Sequence, residues 1–259
     1  MTLRAYFFML ISGFIFTSCE EVIDVNLNDS EARTVIEGQL SDLTSVQQIR
    51  VSETVSFSTD RNSKPIDKAV VLVRDDKGGF FTFQYTNNGI YEHRNFKPVA
   101  KRTYSLEVRV GEQVFKSTAV MPPYVTVDSI GILEQNVFKD TYYFMTFKFH
   151  DPKDVSNYYK YDMSINGKPF AFASTFNDKF NDGLFVTHQV GDFDNDLVQG
   201  DSITVRRYCI DKPVYNYWNE YQRTNPSNAA PGNPTSNISN NALGYFSVAS
   251  AKQYGIRID

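Results

Sequence analysis

Along most of this chain apolar and polar residues alternate with a period of two, the spacing that sends successive side chains to opposite faces of a strand. Such runs, rich in β-branched and aromatic residues, recur at Arg33 to Leu40, Gln47 to Val55, Ala69 to Arg74, Phe80 to Tyr85, Ile90 to Arg94, Thr103 to Val110 and Gln113 to Val120. Between them stand Asp75-Asp76-Lys77-Gly78-Gly79, Asn87-Asn88-Gly89 and Gly111-Glu112, where Lys77-Gly78 and Asn88-Gly89 supply the positive φ that tight hairpins need. Seven short strands at this spacing predict an antiparallel sandwich over 33–122. It ends at Met121-Pro122-Pro123, because paired prolines cannot donate to a central ladder.

A second series follows, predicting another antiparallel sandwich over 123–259. Its strands are Thr126 to Leu133, Tyr142 to His150, Tyr158 to Asn166, Leu184 to Val190, Ser202 to Ile210, Leu243 to Val248 and Tyr254 to Ile258. One segment changes period. From Pro213 onward, Val214, Tyr217, Trp218 and Tyr221 fall at i, i+3, i+4 and i+7, with proline suited to a first helical turn, so a short helix is predicted near 213–223. Asn225 to Asn241, rich in Asn, Pro, Ser and Gly, reads as a long loop, either disordered or pinned by its own side chains. The predicted class is all-β: two tandem sandwiches of the immunoglobulin or transthyretin kind.

The first residues do not fit this pattern. A basic start ending at Arg4, an apolar run from Ala5 to Phe16 and the small pair Thr17-Ser18 lead to Cys19. That is the layout of a bacterial secretory leader, and the run falls short of the roughly 20 apolar residues a membrane span requires. A cysteine at the junction marks a lipoprotein leader: residues 1–18 form the signal peptide, Cys19 is the lipidation site, and 19–32 form an acidic tether. Several acyl chains (palmitate or its like), at about 0.8 kcal/mol per buried methylene, give lasting attachment. Glu20 and Glu21 directly follow.

Charge and cysteine content narrow the choice further. Formal net charge is −4. Removing 1–18 takes away one arginine and no acid, and no Lys/Arg-rich run follows, so nucleic acid is excluded as a partner and membrane contact falls to the lipid. Of the two cysteines, Cys19 is spent on lipid, leaving Cys209 alone in a strand-like run as a small buried hydrophobe.

Few residues suggest chemistry. His93, His150 and His188 lack the short spacings of zinc sites, and no serine sits in a nucleophile elbow, so no catalytic residue, metal ligand or cofactor is assigned. Asp192-Phe193-Asp194-Asn195-Asp196 alternates acids as calcium loops do, but Leu197 and Ile203 stand where an EF-hand wants glycine and glutamate; a hydrated turn and a different calcium loop both remain open. The aromatic cluster Tyr215, Tyr217, Trp218 and Tyr221 either presents a partner or ligand face or covers one end of the second sheet. Gly244 is expected where backbones approach closely.

Taken in order, the lipidated cysteine with its acids, Val35-Ile36-Glu37-Gly38, the stretch Lys68 to Gly78, Gly89-Ile90-Tyr91, Thr103 to Val108, Met121-Pro122, Ser236-Asn237-Ile238 and Leu243-Gly244-Tyr245-Phe246 resemble the Bacteroidota lipoproteins grouped as domain of unknown function forty-two forty-nine. The first sandwich also resembles the carboxypeptidase regulatory-like, transthyretin-type domain. The resemblance implies an outer-membrane lipoprotein facing the cell exterior, with Glu20 and Glu21 as a surface-export signal and a TonB-dependent β-barrel receptor as partner. A non-enzymatic accessory or ligand-binding role in nutrient uptake is the expectation. A structural or adhesive envelope protein is the alternative.

Overall fold

The computed structural model describes residues 32–55, 63–191, 197–224 and 232–259. Cys19, Glu20, Glu21 and the acidic run at 192–196 lie outside the described residues. The strands are β1 (Thr34–Ser41), β2 (Gln47–Glu53), β3 (Lys64–Pro65), β4 (Ala69–Asp75), β5 (Phe80–Asn87), β6 (Ile90–His93), β7 (Thr103–Val110), β8 (Gln113–Val120), β9 (Ser129–Val137), β10 (Asp140–His150), β11 (Tyr158–Ile165), β12 (Ala171–Asn177), β13 (Phe185–Val190), β14 (Ser202–Ile210) and β15 (Leu243–Arg257). The helix at the expected place is α1 (Lys212–Thr224). Among the described residues the fold is thus all-β and sandwich-like with one short helix.

The strands predicted in 33–122 are present, and alternation accounts for them: in β8 every second residue, Phe115, Ser117 and Ala119, is buried. Asn88 and Gly89 both carry positive φ in the β5–β6 turn. β5 pairs with β4 through residues 80–83 and with β6 through 84–87, slipping register between Tyr85 and Asn87, so one strand turns the corner between two layers. Ile36, Leu40, Ile49, Val51, Val71, Val73, Tyr91 and Tyr104 fill the space between those layers. In the second half β13, β10 and β9 form a separate three-stranded sheet facing β11, β14 and the end of β15, around Phe147, Phe149, Tyr161, Ile203 and Val205.

Three features differ from expectation. β12 had no predicted counterpart, because Ala171-Phe172-Ala173-Ser174-Thr175 offers little apolar alternation. The segments predicted as two strands, Leu243 to Val248 and Tyr254 to Ile258, are one strand of 15 residues. Nor are all pairings antiparallel, since residues 243–249 of β15 run parallel to β1, from Val35 opposite Leu243 to Ser41 opposite Ala249. Residues 250–257 then pair antiparallel with β14. The chain's last strand therefore belongs to both halves: Phe246 and Val248 lie in the first core, and Ile256 packs against the second.

Side chains hold this junction. Where β1 ends, Asp42 accepts a hydrogen bond from the Ala251 amide at 2.7 Å, satisfying a donor that would otherwise lose its partner. Ser250 donates to the Pro122 carbonyl in the connector. Asn237 replaces a neighbouring strand for one residue, donating to the Phe246 carbonyl at 2.7 Å and accepting from its amide at 2.9 Å. Ser239 and Lys116 exchange two further bonds that tie the same loop to β8. The described part of the Asn-rich loop is thus pinned by its own polar groups.

Candidate functional site

β11 and β14 carry polar side chains on both faces. Lys160 and Asp162 share one face of β11, and their neighbours Tyr208 and Arg206 on β14 stand directly opposite, while Tyr161 and Arg207 point the other way into the second core. The first face continues across β15 to Gln39 of β1 and is roofed in part by α1.

Under that roof the four predicted aromatic residues come together. Val214 is fully buried, and the ladder of i, i+3, i+4, i+7 positions turns Tyr217, Trp218 and Tyr221 toward the sheet. Trp218 stacks on Phe172 at 4.7 Å, Tyr217 lies 5.0 Å from Tyr245, Tyr215 is 5.1 Å from Tyr158, and Tyr221 meets the edge of Phe172 at 5.7 Å. All four are half-buried. Burial pushes the Tyr217 hydroxyl up to about 12, with the Glu37 carboxylate adding to it. Asp211 caps the helix, accepting from the Val214 amide at 3.3 Å, and also accepts from Val120 at 3.2 Å.

Sequence reasoning missed the group at the centre of this assembly. Lys160 is 2% exposed, with its ammonium 4.5 Å from the Trp218 ring centre, 5.0 Å from Tyr208 and 5.9 Å from Phe172. It donates to Asp162 at 2.5 Å and to Gln39 at 3.1 Å. Burial lowers its proton affinity, and the Asp162 carboxylate opposes that shift. The available signal was the pair Lys160 and Asp162 two apart on an otherwise aromatic strand, opposite charges on one face.

Asp162 also opens onto solvent. With Gln39, Gln48, Arg206, Tyr208 and Gln253 it lines a cleft of about 590 Å³, walled on the far side by Leu43, Thr44 and Val46 of the β1–β2 turn. Arg206 is held in place by Phe170, whose ring lies 3.7 Å below the guanidinium, and by Gln253 at 3.1 Å. Gln47 supports the wall, donating to the Ser41, Thr44 and Phe96 carbonyls and accepting from the Ser41 amide. Amide, carboxylate, guanidinium and phenol groups thus converge on a concavity, the lining that orients a polar ligand by hydrogen bonds.

The histidines are not brought together. His93 lies in the first half, its Nδ1 2.8 Å from the Thr82 carbonyl oxygen, and His150 is exposed, 3.0 Å from Asp128. His188 is buried between the sheets, where its Nδ1 lies 2.8 Å from the Tyr161 hydroxyl and Arg207 donates to Tyr161. Burial and the nearby guanidinium lower His188 to about 3, so it stays neutral. Cys209 is buried and free, as expected of a packing residue, with Sγ accepting from the Val125 amide at 3.4 Å.

Fold and site define an all-β, sandwich-type protein with a polar cleft on a sheet shared by its two halves. The chain belongs to the family described as Domain of unknown function (DUF4249), which matches residues 20–254. Membership is consistent with an extracytoplasmic, cell-envelope protein. No curated protein matches. Among solved structures, a pullulanase from Anoxybacillus sp. LM18-11 aligns at 18% identity over 67% of this chain and 24% of its own, with a TM-score of 0.22. The same enzyme complexed with maltotriose aligns at 15% over the same shares with a TM-score of 0.20. The match spans about a quarter of those chains, and at such scores it is a local likeness only.

Proposed function

We propose that this protein is a non-enzymatic, surface-facing outer-membrane lipoprotein, anchored through acyl chains on Cys19, that recognises a polar ligand as the accessory subunit of a TonB-dependent uptake system. The observation that carries the recognition role is the cleft between the β1–β2 turn and the β11–β14–β15 face, with Gln48, Asp162, Arg206 and Gln253 converging on it. The leader-like residues 1–18 and the acids after Cys19 support the anchor and its outward display. Among the described residues no helix is long and apolar enough to cross a membrane. Family resemblance supports the choice of receptor.

Co-purification of the native lipoprotein in mild detergent tests the partner. Recovery with a β-barrel receptor supports uptake, whereas recovery as a lone subunit favours the structural or adhesive alternative. Cys19→Ala should release the protein from membranes, and continued attachment would defeat the anchor. Ligand capture should fall at least tenfold in the double variant Arg206→Ala, Gln48→Ala, because two hydrogen-bonding groups leave the cleft at about 1 kcal/mol or more each.

A further inference from the structure

The far end of the second sandwich carries a different constellation. The loop joining β10 to β11 (151–157) and the loop joining β12 to β13 (178–184) are clasped by hydrogen bonds: the Asp151 amide donates to the Leu184 carbonyl, and the Asp178 amide to that of Asn157. At their junction the carboxylates of Asp151, Asp178 and Asp182 each place an oxygen within 4.8 Å of the others. Asp151 is 5% exposed and Asp178 8% exposed. Asp178 accepts from the Asn157 amide at 2.7 Å and Asp182 from the Asp154 amide at 2.8 Å, so backbone amides of the first loop fix both acids of the second.

Asp151 gives the independent observation. Its Oδ1 accepts from the Tyr159 hydroxyl at 2.6 Å, but its Oδ2 is buried without any hydrogen-bond partner. If ionised, that oxygen is a buried acceptor lacking a donor; if protonated, it is a buried donor lacking an acceptor. Both are costly. The groups facing Asp151 across this junction are the carboxylates of Asp178 and Asp182, whose like charges repel it. A cation among the three carboxylates removes the repulsion and satisfies Oδ2 together.

We propose that Asp151, Asp178 and Asp182 form a calcium site that locks these two loops. All three donors are hard oxygens, with no histidine or cysteine among them, which excludes a zinc preference. Their spread lies inside the ~5 Å that separates opposite oxygens on one Ca²⁺, given Ca–O bonds of about 2.4 Å. Irregular loops suit calcium, which tolerates variable coordination, better than magnesium, which demands a near-octahedral shell. The site is remote in sequence from the acidic run at 192–196.

The test is thermal unfolding of the full-length protein, stripped with chelator, then returned to about 5 mM Ca²⁺ or Mg²⁺, a concentration chosen for extracellular sites of roughly 0.1 mM affinity. Wild type should gain roughly 5 °C in Ca²⁺ and clearly less in Mg²⁺. Asp151→Asn and the exposed Asp182→Asn should abolish the gain, and Asp151→Asn should be no less stable than wild type in chelator because it removes a repelled charge. Asp194→Asn should keep the full gain. No rise in Ca²⁺, an equal rise in Mg²⁺, a rise that survives both Asp151→Asn and Asp182→Asn, or a rise lost in Asp194→Asn would each overturn the assignment. Should Asp151→Asn fail to fold, Asp182→Asn alone decides.

Discussion

Replacing Gly244 by alanine tests the feature on which the architecture turns, the docking of the last strand beside the first. Gly244 has φ +87°, and a Cβ there would stand 2.1 Å from the Ile36 carbonyl oxygen and 2.8 Å from its carbon. Adopting that φ costs an L-residue about 1–2 kcal/mol. Relieving the contact requires β15 to withdraw by ~1 Å, since carbon and oxygen rest at about 3.3 Å or more. That stretches neighbouring N–H···O bonds out of range; losing two or three at ~1 kcal/mol each brings the total to about 3–5 kcal/mol. Gly111 is the control. It too has positive φ, +57°, but a Cβ there meets nothing within 4 Å, so Gly111→Ala should cost only about 1–2 kcal/mol. Urea unfolding of both variants isolates the steric part from the backbone part. Equal losses, within about 0.5 kcal/mol, would mean that β15 does not lie parallel against β1.

The buried charges give further tests. Asp211 is pushed up to about 6 by burial, which outweighs its hydrogen bonds to Val214 and Val120, against 3.8 for the free group. Its contribution to stability is therefore full below pH 3.8 and lost as pH rises through 6, by roughly 3 kcal/mol at 1.36 kcal/mol per tenfold change in proton affinity. Urea unfolding of wild type and Asp211→Asn at both ends of that window should show wild type losing this margin over the variant; a margin that stays flat or grows refutes it. For the lysine in its aromatic cage, Lys160→Met keeps the volume and removes a costly desolvation, so its stability should stay within about 1 kcal/mol of wild type. Asp162→Asn leaves the ammonium buried without its counter-charge and should cost about 3 kcal/mol, so the reverse order in chemical denaturation would show that the pair is solvated.

The predicted strands of the first half were legible because each buries one face, and alternation is the direct imprint of that burial. The helix was legible because Val214, Tyr217, Trp218 and Tyr221 cover a sheet from one side only. Gly244 was readable as a close approach, though not what it approaches. β15 was misread as two strands because its middle, Ala249-Ser250-Ala251, must be small on both faces, one beneath the α1 layer and one against the connector at Pro122. Small residues leave no apolar period to detect.

What the sequence determined by itself was local: strand and helix periods, turn chemistry and the family pattern. Only the tertiary structure decided which strands meet. Lys160 sits beside Trp218, Asp162 beside Arg206, and Asp151 beside Asp178 and Asp182 because sheet register and loop closure bring distant segments together. A period of two specifies which face a residue occupies, but not what lies across from it. Pairing partners are chosen by the free energy of the whole sheet, in which the parallel seam between β1 and β15 counts as much as any hairpin.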